Sequence, residues 1–205
     1  MSSEKRPYRK KKRAESEADT RRRITESAVE LHGSIGPSRT SMSAVAERAG
    51  VPRSTLYRHF PHESALFEAC SAHWAAANPP PDLTTWASME DPDERARSAI
   101  EDLYAFYRRN EAMLANLIRD EETNEFVRRQ FRAYHAYMEA AEEELLRGRR
   151  ERAQARVRVA AAIGHALSFT TWRSLVRDQS LGNTQAAALM SGLVSEAGSR
   201  RPVRA

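Results

Sequence analysis

The sequence has one cysteine and no apolar run of about 18 residues, and three common catalytic signatures are missing from it. The lone thiol, Cys70, excludes an intramolecular disulfide and fits a reducing compartment. Without a long apolar run, no membrane-spanning segment is expected. The basic N-terminal stretch is followed by Ala14-Glu15-Ser16-Glu17-Ala18-Asp19, not by an apolar core, so no export signal is expected and the anticipated location is cytoplasmic. The eight glycines are scattered. They build no phosphate-cradling loop and no Gly-x-Ser-x-Gly elbow, and no His-Glu-x-x-His occurs, so no enzyme and no cofactor is expected. Cys70 and His73 stand three apart and would supply two metal ligands. Structural zinc wants four N/S donors, and His32, His59, His135 and His165 are dispersed, so no metal site is expected either. A period-two strand pattern and internal repeats of 20–50 residues are also missing.

Charge is plentiful and unevenly placed. The net charge is +5, but residues 1–23 alone carry ten Lys/Arg against four acids, a local +6, which leaves the rest of the chain at −1. Residues 1–19, with Arg9, Lys10, Lys11, Lys12 and Arg13 at their centre, hold too little apolar surface to bury a core and read as a disordered basic arm. Such an arm suits phosphates or an adjacent minor groove.

Residues 40–60 carry the most specific pattern. Met42, Val45, Ala46 and Ala49 recur at helical spacing, and Gly50 lets the chain turn out of that helix. Pro52 suits the first turn of a second helix, and Val51 and Leu56 point inward. Arg53, Ser54, Thr55, Tyr57, Arg58 and His59 are left outside. Guanidinium, hydroxyl, phenol and imidazole groups near a helix start reach phosphate oxygens and base edges in a major groove about 12 Å wide. Ser41 and Ser43, near the start of the first helix of the pair, suit phosphate contact or capping.

This segment resembles the helix-turn-helix of the TetR family of bacterial transcriptional regulators, and the likeness extends over residues 20–75. Arg23-Ile24 to Glu30-Leu31, then Gly36 and Thr40-Ser41-Met42, is similar to the family's first helix and the loop into its second. Leu56-Tyr57-Arg58-His59-Phe60, then Glu63 and Leu66-Phe67, is similar to the end of its recognition helix and the start of its fourth. Two positions depart: His32 stands where the family usually has an aromatic residue, and Glu63 where it usually has lysine, a phosphate contact that a carboxylate cannot make. Glu63 instead suits the positive end of the fourth helix's dipole. The resemblance implies a DNA-binding domain at 20–77, a helical regulatory and dimerisation domain at 78–198 and a short disordered tail at 199–205.

The remainder reads as all-α. Asn78-Pro79-Pro80-Pro81-Asp82 closes the fourth helix near Ala77. Helices are then expected from Asp91-Pro92 to about Arg109, over 113–118, over 122–147 with Gly148 as the stop, over 152–177 and over 184–197. In the last, Ala186, Leu189, Met190, Leu193, Val194 and Ala197 form a continuous apolar stripe. The resemblance implies a homodimer through the final two helices on near-palindromic double-stranded DNA, with half-sites about one helical turn apart. It also implies a small-molecule effector between the middle helices, for which Tyr104, Tyr107, Tyr134, His135 and Trp172 are the candidate wall. A repressor released by its effector is the reading that follows. Two alternatives stay open: a helical protein-interaction module on a degenerate DNA-binding fold, and a metal-responsive regulator using Cys70 and His73.

Overall fold

A computed structural model of the chain describes residues 5–199, with Tyr8 and the residues from Lys12 onward described in their side chains. Those residues form ten α-helices and no strand. The chain divides into two compact units: Met1–Pro79 with Ala112–Phe131, and Pro80–Glu111 with Arg132–Ala205.

In the first unit α1 takes Lys5–Ser34, α2 Met42–Arg48, α3 Arg53–His59 and α4 Glu63–Ala77, with a single 3-10 turn at Pro37–Arg39 before α2. The core is small and apolar. Ile24 and Ala28 of α1, Val45 and Ala46 of α2, Leu56 and Phe60 around α3, and Leu66 and Cys70 of α4 are buried together. Each large apolar side chain removed from water there contributes about 1.5–3 kcal/mol. The helical start at Lys5 differs from the disordered arm expected for 1–19. A segment unable to build a core is still able to form helix when it is rich in Lys, Arg, Ala and Glu and continues a helix already anchored at Ile24. The Arg13–Glu17 pair (3.2 Å) lies one turn apart on that extension. The side chains of Arg9, Lys10 and Lys11 lie outside the described residues, as does nearly all of the 199–205 tail.

The second unit contains α5 (Leu83–Ala87), most of α6 (Pro92–Glu121), most of α7 (Glu125–Leu146), α8 (Gln154–Leu167), α9 (Phe169–Arg173) and α10 (Asn183–Gly198). Four features correct the sequence-based outline. The short α5 was not foreseen; Asp82 starts it, accepting from the Thr84 amide at 2.9 Å. The expected break near Arg109 is absent, and α6 is continuous. No Gly or Pro interrupts that stretch, and Asn110 folds its amide back onto the Phe106 carbonyl (3.0 Å) without leaving the helix. The expected 152–177 helix is divided at Ser168, which is extended (ψ 133°). Tyr104 and Tyr107 of α6 hold that break, donating their hydroxyls to the carbonyls of Ala166 (3.0 Å) and Leu167 (2.6 Å), the orphan acceptors at the end of α8. After α9, Ser174–Asp178 form one π-turn, closed by the Gln179 amide on the Ser174 carbonyl at 3.0 Å. Gly148 does stop α7, with φ +76°.

Arg95 on α6 escaped the sequence reading altogether. It is only 2% exposed. Its guanidinium donates to the carbonyls of Met89 (3.2 Å), Glu144 (3.2 Å) and Arg147 (2.7 Å) and pairs with the Glu144 carboxylate (3.5 Å), so the approach to α6 and the end of α7 are fastened to one cation. An arginine with that much backbone around it satisfies the carbonyls that helix ends leave free.

Candidate nucleic-acid interface

Helices α2 and α3 are joined by Ala49-Gly50-Val51-Pro52. Gly50 adopts φ +64°, where a side chain is strained, and Pro52 flanks the first turn of α3 at φ −59°. The turn is closed by the Val51 amide on the Ala46 carbonyl (3.0 Å). Ser41 caps α2: its hydroxyl accepts from the Ala44 amide at 3.2 Å. Of the two roles considered for Ser41, capping is the one seen; Ser43 sits half-buried two residues on.

On α3 the division of faces is clean. Leu56 and, just beyond, Phe60 are fully buried, whereas Arg53, Ser54, Tyr57 and Arg58 are exposed and Thr55 and His59 are half-buried. Tyr57 keeps 42% of its surface accessible, a large figure for an aromatic side chain. His59 behaves differently from the rest. Its Nε2 is buried without a hydrogen-bond partner, and burial together with the charges of Arg58 and Arg21 holds its imidazole below the usual pKa. At neutral pH the ring is therefore uncharged.

Two arginines counted as part of the basic N-terminus prove to be fasteners. Arg21 donates to the His59 carbonyl at the end of α3 (2.7 Å) and lays its guanidinium over the Phe60 ring at 4.1 Å. Arg23 donates to the Ala49 carbonyl at the end of α2 (3.0 Å). Each places a cation on the negative end of a short helix, where it is favourable. Their spacing carried no signal distinguishing them from Arg22, which instead pairs with Asp19 and Glu26 in solvent. Arg48 adds a further tie, to Glu30 of α1 at 2.6 Å.

The loop into α2 is held by residues far along the chain that the sequence reading also missed. Asn116 donates to the carbonyls of His32 and Gly33 (both 2.9 Å), and Arg119 to that of Ile35 (3.1 Å). Asp120 accepts from the Ser38 amide (2.9 Å) and from Arg119 Nε (2.8 Å). Burial pushes the Asp120 carboxyl up, but Arg119 and the Ser38 amide outweigh it, and its pKa lies below the usual range. Asn124 starts α7 by accepting from the amides of Phe126 and Val127 and reaches Ser38 Oγ at 3.3 Å. Gly36, at φ +94° and ψ 156°, fits beneath this cluster; a Cβ there would lie 2.0 Å from an Arg119 nitrogen. Only glycine occupies that backbone region freely.

His32 is buried against Phe67 (ring centroids 5.4 Å) with Nδ1 3.5 Å from the Cys70 sulfur, and burial lowers its pKa to about 4. The Cys70 thiol is pushed up to about 12 by the same burial, and it donates to the Phe67 carbonyl. His73 is exposed, so Cys70 and His73 do not face a common site. Among the described residues no three His, Cys, Asp or Glu side chains converge to hold an ion. Glu63 is exposed in the first turn of α4, where the dipole favours it.

The five residues considered for an effector wall divide in two. Tyr104, Tyr107 and Trp172 are fully buried, with Tyr107 against Phe169 (5.4 Å) and Trp172 (5.9 Å) and the Trp172 indole donating to Asn183 (2.8 Å). Tyr134 is half-buried, its hydroxyl 3.4 Å from that of Tyr107, and His135 is exposed. Among the described residues no helix is long and apolar enough to cross a membrane.

Comparison with known proteins agrees with this geometry. Residues 24–70 match the model of bacterial regulatory proteins of the tetR family. No curated protein matches the chain in sequence. Among solved structures, a TetR-like transcriptional regulator from Rhodococcus sp. RHA1 is 21% identical, with TM-score 0.64 over 86% of this chain and 94% of that one. A Clostridium perfringens protein provisionally described as a fatty acid metabolism regulator is 18% identical, with TM-score 0.63 over 88% and 100%. A TetR-family transcriptional regulator from Streptomyces coelicolor is 17% identical, with TM-score 0.55 over 88% and 79%. The fold is that of TetR-family transcriptional regulators.

Proposed function

We propose that this chain, with a TetR-type helix-turn-helix at residues 24–70 on an all-helical TetR-like fold, is a ligand-responsive transcriptional repressor. It binds a near-palindromic operator as a homodimer and is released by a small molecule. The observation that carries the reading is α3 itself: its apolar side is buried, its C-terminal end is fastened by Arg21, the end of the preceding α2 is fastened by Arg23, and Arg53, Ser54, Tyr57 and Arg58 face solvent without competing partners among the described residues. A rigid short helix presented this way suits insertion into a major groove. Arg53 and Thr55, near its start, take base edges; Tyr57, Arg58 and His59 take phosphate. Lys12 and Arg13, with Arg9, Lys10 and Lys11, add backbone contacts.

Dimerisation through α8 and α10 is supported by what those helices leave uncovered. Val157 (63% exposed), Leu189 (52%) and Leu193 (42%) lie outside the core, alongside the exposed small residues Ala161, Ala188 and Gly192. A twofold mate would bury this surface, and the small residues would let the helices approach closely. For the effector, Tyr104, Tyr107, Tyr134, His135 and Trp172 remain the proposed wall. The three buried rings must part to admit it, and two of them hold the end of α8. Because α6 also carries Asn116, Arg119 and Asp120, a shift of that helix would pull on the loop into α2. Coupling of this kind amounts to about 1–3 kcal/mol and is reciprocal between ligand and DNA.

Gel-shift titration of the purified protein on selected operator, at two salt concentrations, tests the reading. Affinity falls steeply with salt if phosphates are held. Arg53→Ala costs about 1–3 kcal/mol and relaxes preference at one position per half-site. A uniform loss over all duplexes would assign Arg53 to phosphate, and no preference for any duplex would refute the function.

A further inference from the structure

Helix α1 continues beyond the unit that it anchors. Arg21 is the point at which it is fastened to the end of α3. Further toward the N-terminus, Lys12, Arg13, Ser16 and Glu17 of α1, with Arg58 of α3, line an open cleft of ≈ 540 Å³. Among the described residues no apolar side chain lines it. Three cations meet one anion, and the anion is engaged: Glu17 accepts from Arg13 Nε at 3.2 Å. Glu17 also acts electrostatically on His59, favouring its protonated form. Among the described residues Lys12 and Arg58 have no ion-pair or hydrogen-bond partner. The cleft thus holds two unmatched cations, a hydroxyl and a third cation neutralised by a carboxylate of its own chain. That inventory matches a phosphodiester oxygen pair, with Glu17 occupying its place in the free protein.

We infer that this cleft takes a backbone phosphate of duplex DNA on the flank of the half-site read by α3, and that the phosphate displaces Glu17 from Arg13. The inference rests on the proposed DNA-binding function. At about 1.5 Å per residue, Lys12 stands about 13 Å along the helix from Arg21. Arg58 brings the cleft up to α3, so the phosphate lies beside the bases that α3 reads. Glu17 then acts as an internal competitor that weakens flank binding, and its removal has the opposite effect to removal of the cations.

The test uses full-length protein with the selected operator, once with ten flanking base pairs on each side and once trimmed to its half-sites. Lys12→Ala with Arg13→Ala is expected to flatten the salt dependence of log K on the long duplex by about 0.9 per phosphate lost in each subunit. The same variant should bind both duplexes equally while keeping its base preference. Glu17→Gln is expected to bind the long duplex several-fold more tightly than the unmodified protein, with no gain on the trimmed one. A double variant that keeps the original slope and flank dependence overturns the inference, as does a Glu17→Gln protein that binds the long duplex no better. If the unmodified protein prefers no duplex at all, the proposed function has failed and not the cleft alone.

Discussion

Replacing Gly36 by alanine strikes the loop that brings the chain into α2 at the point where the backbone and the Asn116–Arg119–Asp120 cluster meet. Gly36 combines φ +94° with ψ 156°, a region essentially closed to residues with a Cβ, and forcing alanine into it costs about 1–3 kcal/mol. The new methyl would also lie 2.0 Å from Arg119 Nη2 and 2.8 Å from Asp120 Oδ2, so the guanidinium must leave the Ile35 carbonyl. For a unit of this size each kcal/mol lowers the melting temperature by about 4–8 °C, so the backbone cost alone predicts a fall of roughly 4–24 °C. Gly50→Ala is the control. Gly50 also has positive φ (+64°), but its Cβ would meet nothing within 4 Å. Thermal melts followed by far-UV circular dichroism should therefore rank Gly36→Ala well below Gly50→Ala. Adding Arg119→Ala should shrink the effect of Gly36→Ala, because the obstructing atom is gone. Equal melting of the two glycine variants, or full additivity with Arg119→Ala, would refute the idea that this cluster clamps the loop.

Other consequences concern pH and assembly. His32 drops from the ordinary 6.5 to about 4 because burial disfavours its charged form, only partly opposed by Asp120. The unfolded chain thus binds a proton that the folded one refuses. Stability from this group is complete above pH 6.5 and is lost between pH 6.5 and 4, by about 3 kcal/mol in total. His32→Phe should melt with less pH dependence over that window, and identical profiles would show that His32 is not the titrating group. On the proposed dimer face, Leu189→Asp with Leu193→Asp places two charges where a mate would bury them. Sedimentation should then report a monomer with greatly weakened operator affinity, and a variant that still dimerises would move the interface elsewhere.

How much of this was legible in the sequence varies with the range of the contact concerned. The α2–α3 motif was readable because its signals are local: periodic apolar positions, a glycine that must take positive φ and a proline at a helix start. Of the outward face expected on α3, Arg53, Ser54, Tyr57 and Arg58 are exposed, whereas Thr55 and His59 are half-buried. The helix through the basic arm has no mark in its composition, which speaks to core formation and not to helix continuation from Ile24. The break at Ser168 was invisible because the groups that satisfy it, Tyr104 and Tyr107, lie some sixty residues away. The same two residues stand in the proposed effector wall, and their hydroxyls also cap the end of α8. Arg95, Asn116, Arg119 and Asp120 were overlooked for the same reason, since a polar residue in an amphipathic helix has no local mark of a distant carbonyl. His32 was noticed as a departure, yet only its packing against Phe67 and Cys70 explains how an imidazole is tolerated there: it stays neutral.

Selection of bound fragments from a pool of random duplexes tests the central claim most directly, since it assumes neither a target nor an effector. Helix α3 presented by a twofold pair requires a near-palindromic site with half-sites about one helical turn, roughly 34 Å, apart. Recovery of such a site, lost on Arg53→Ala, is the expected result. Recovery of fragments with no common sequence, or of a site without symmetry, would contradict it.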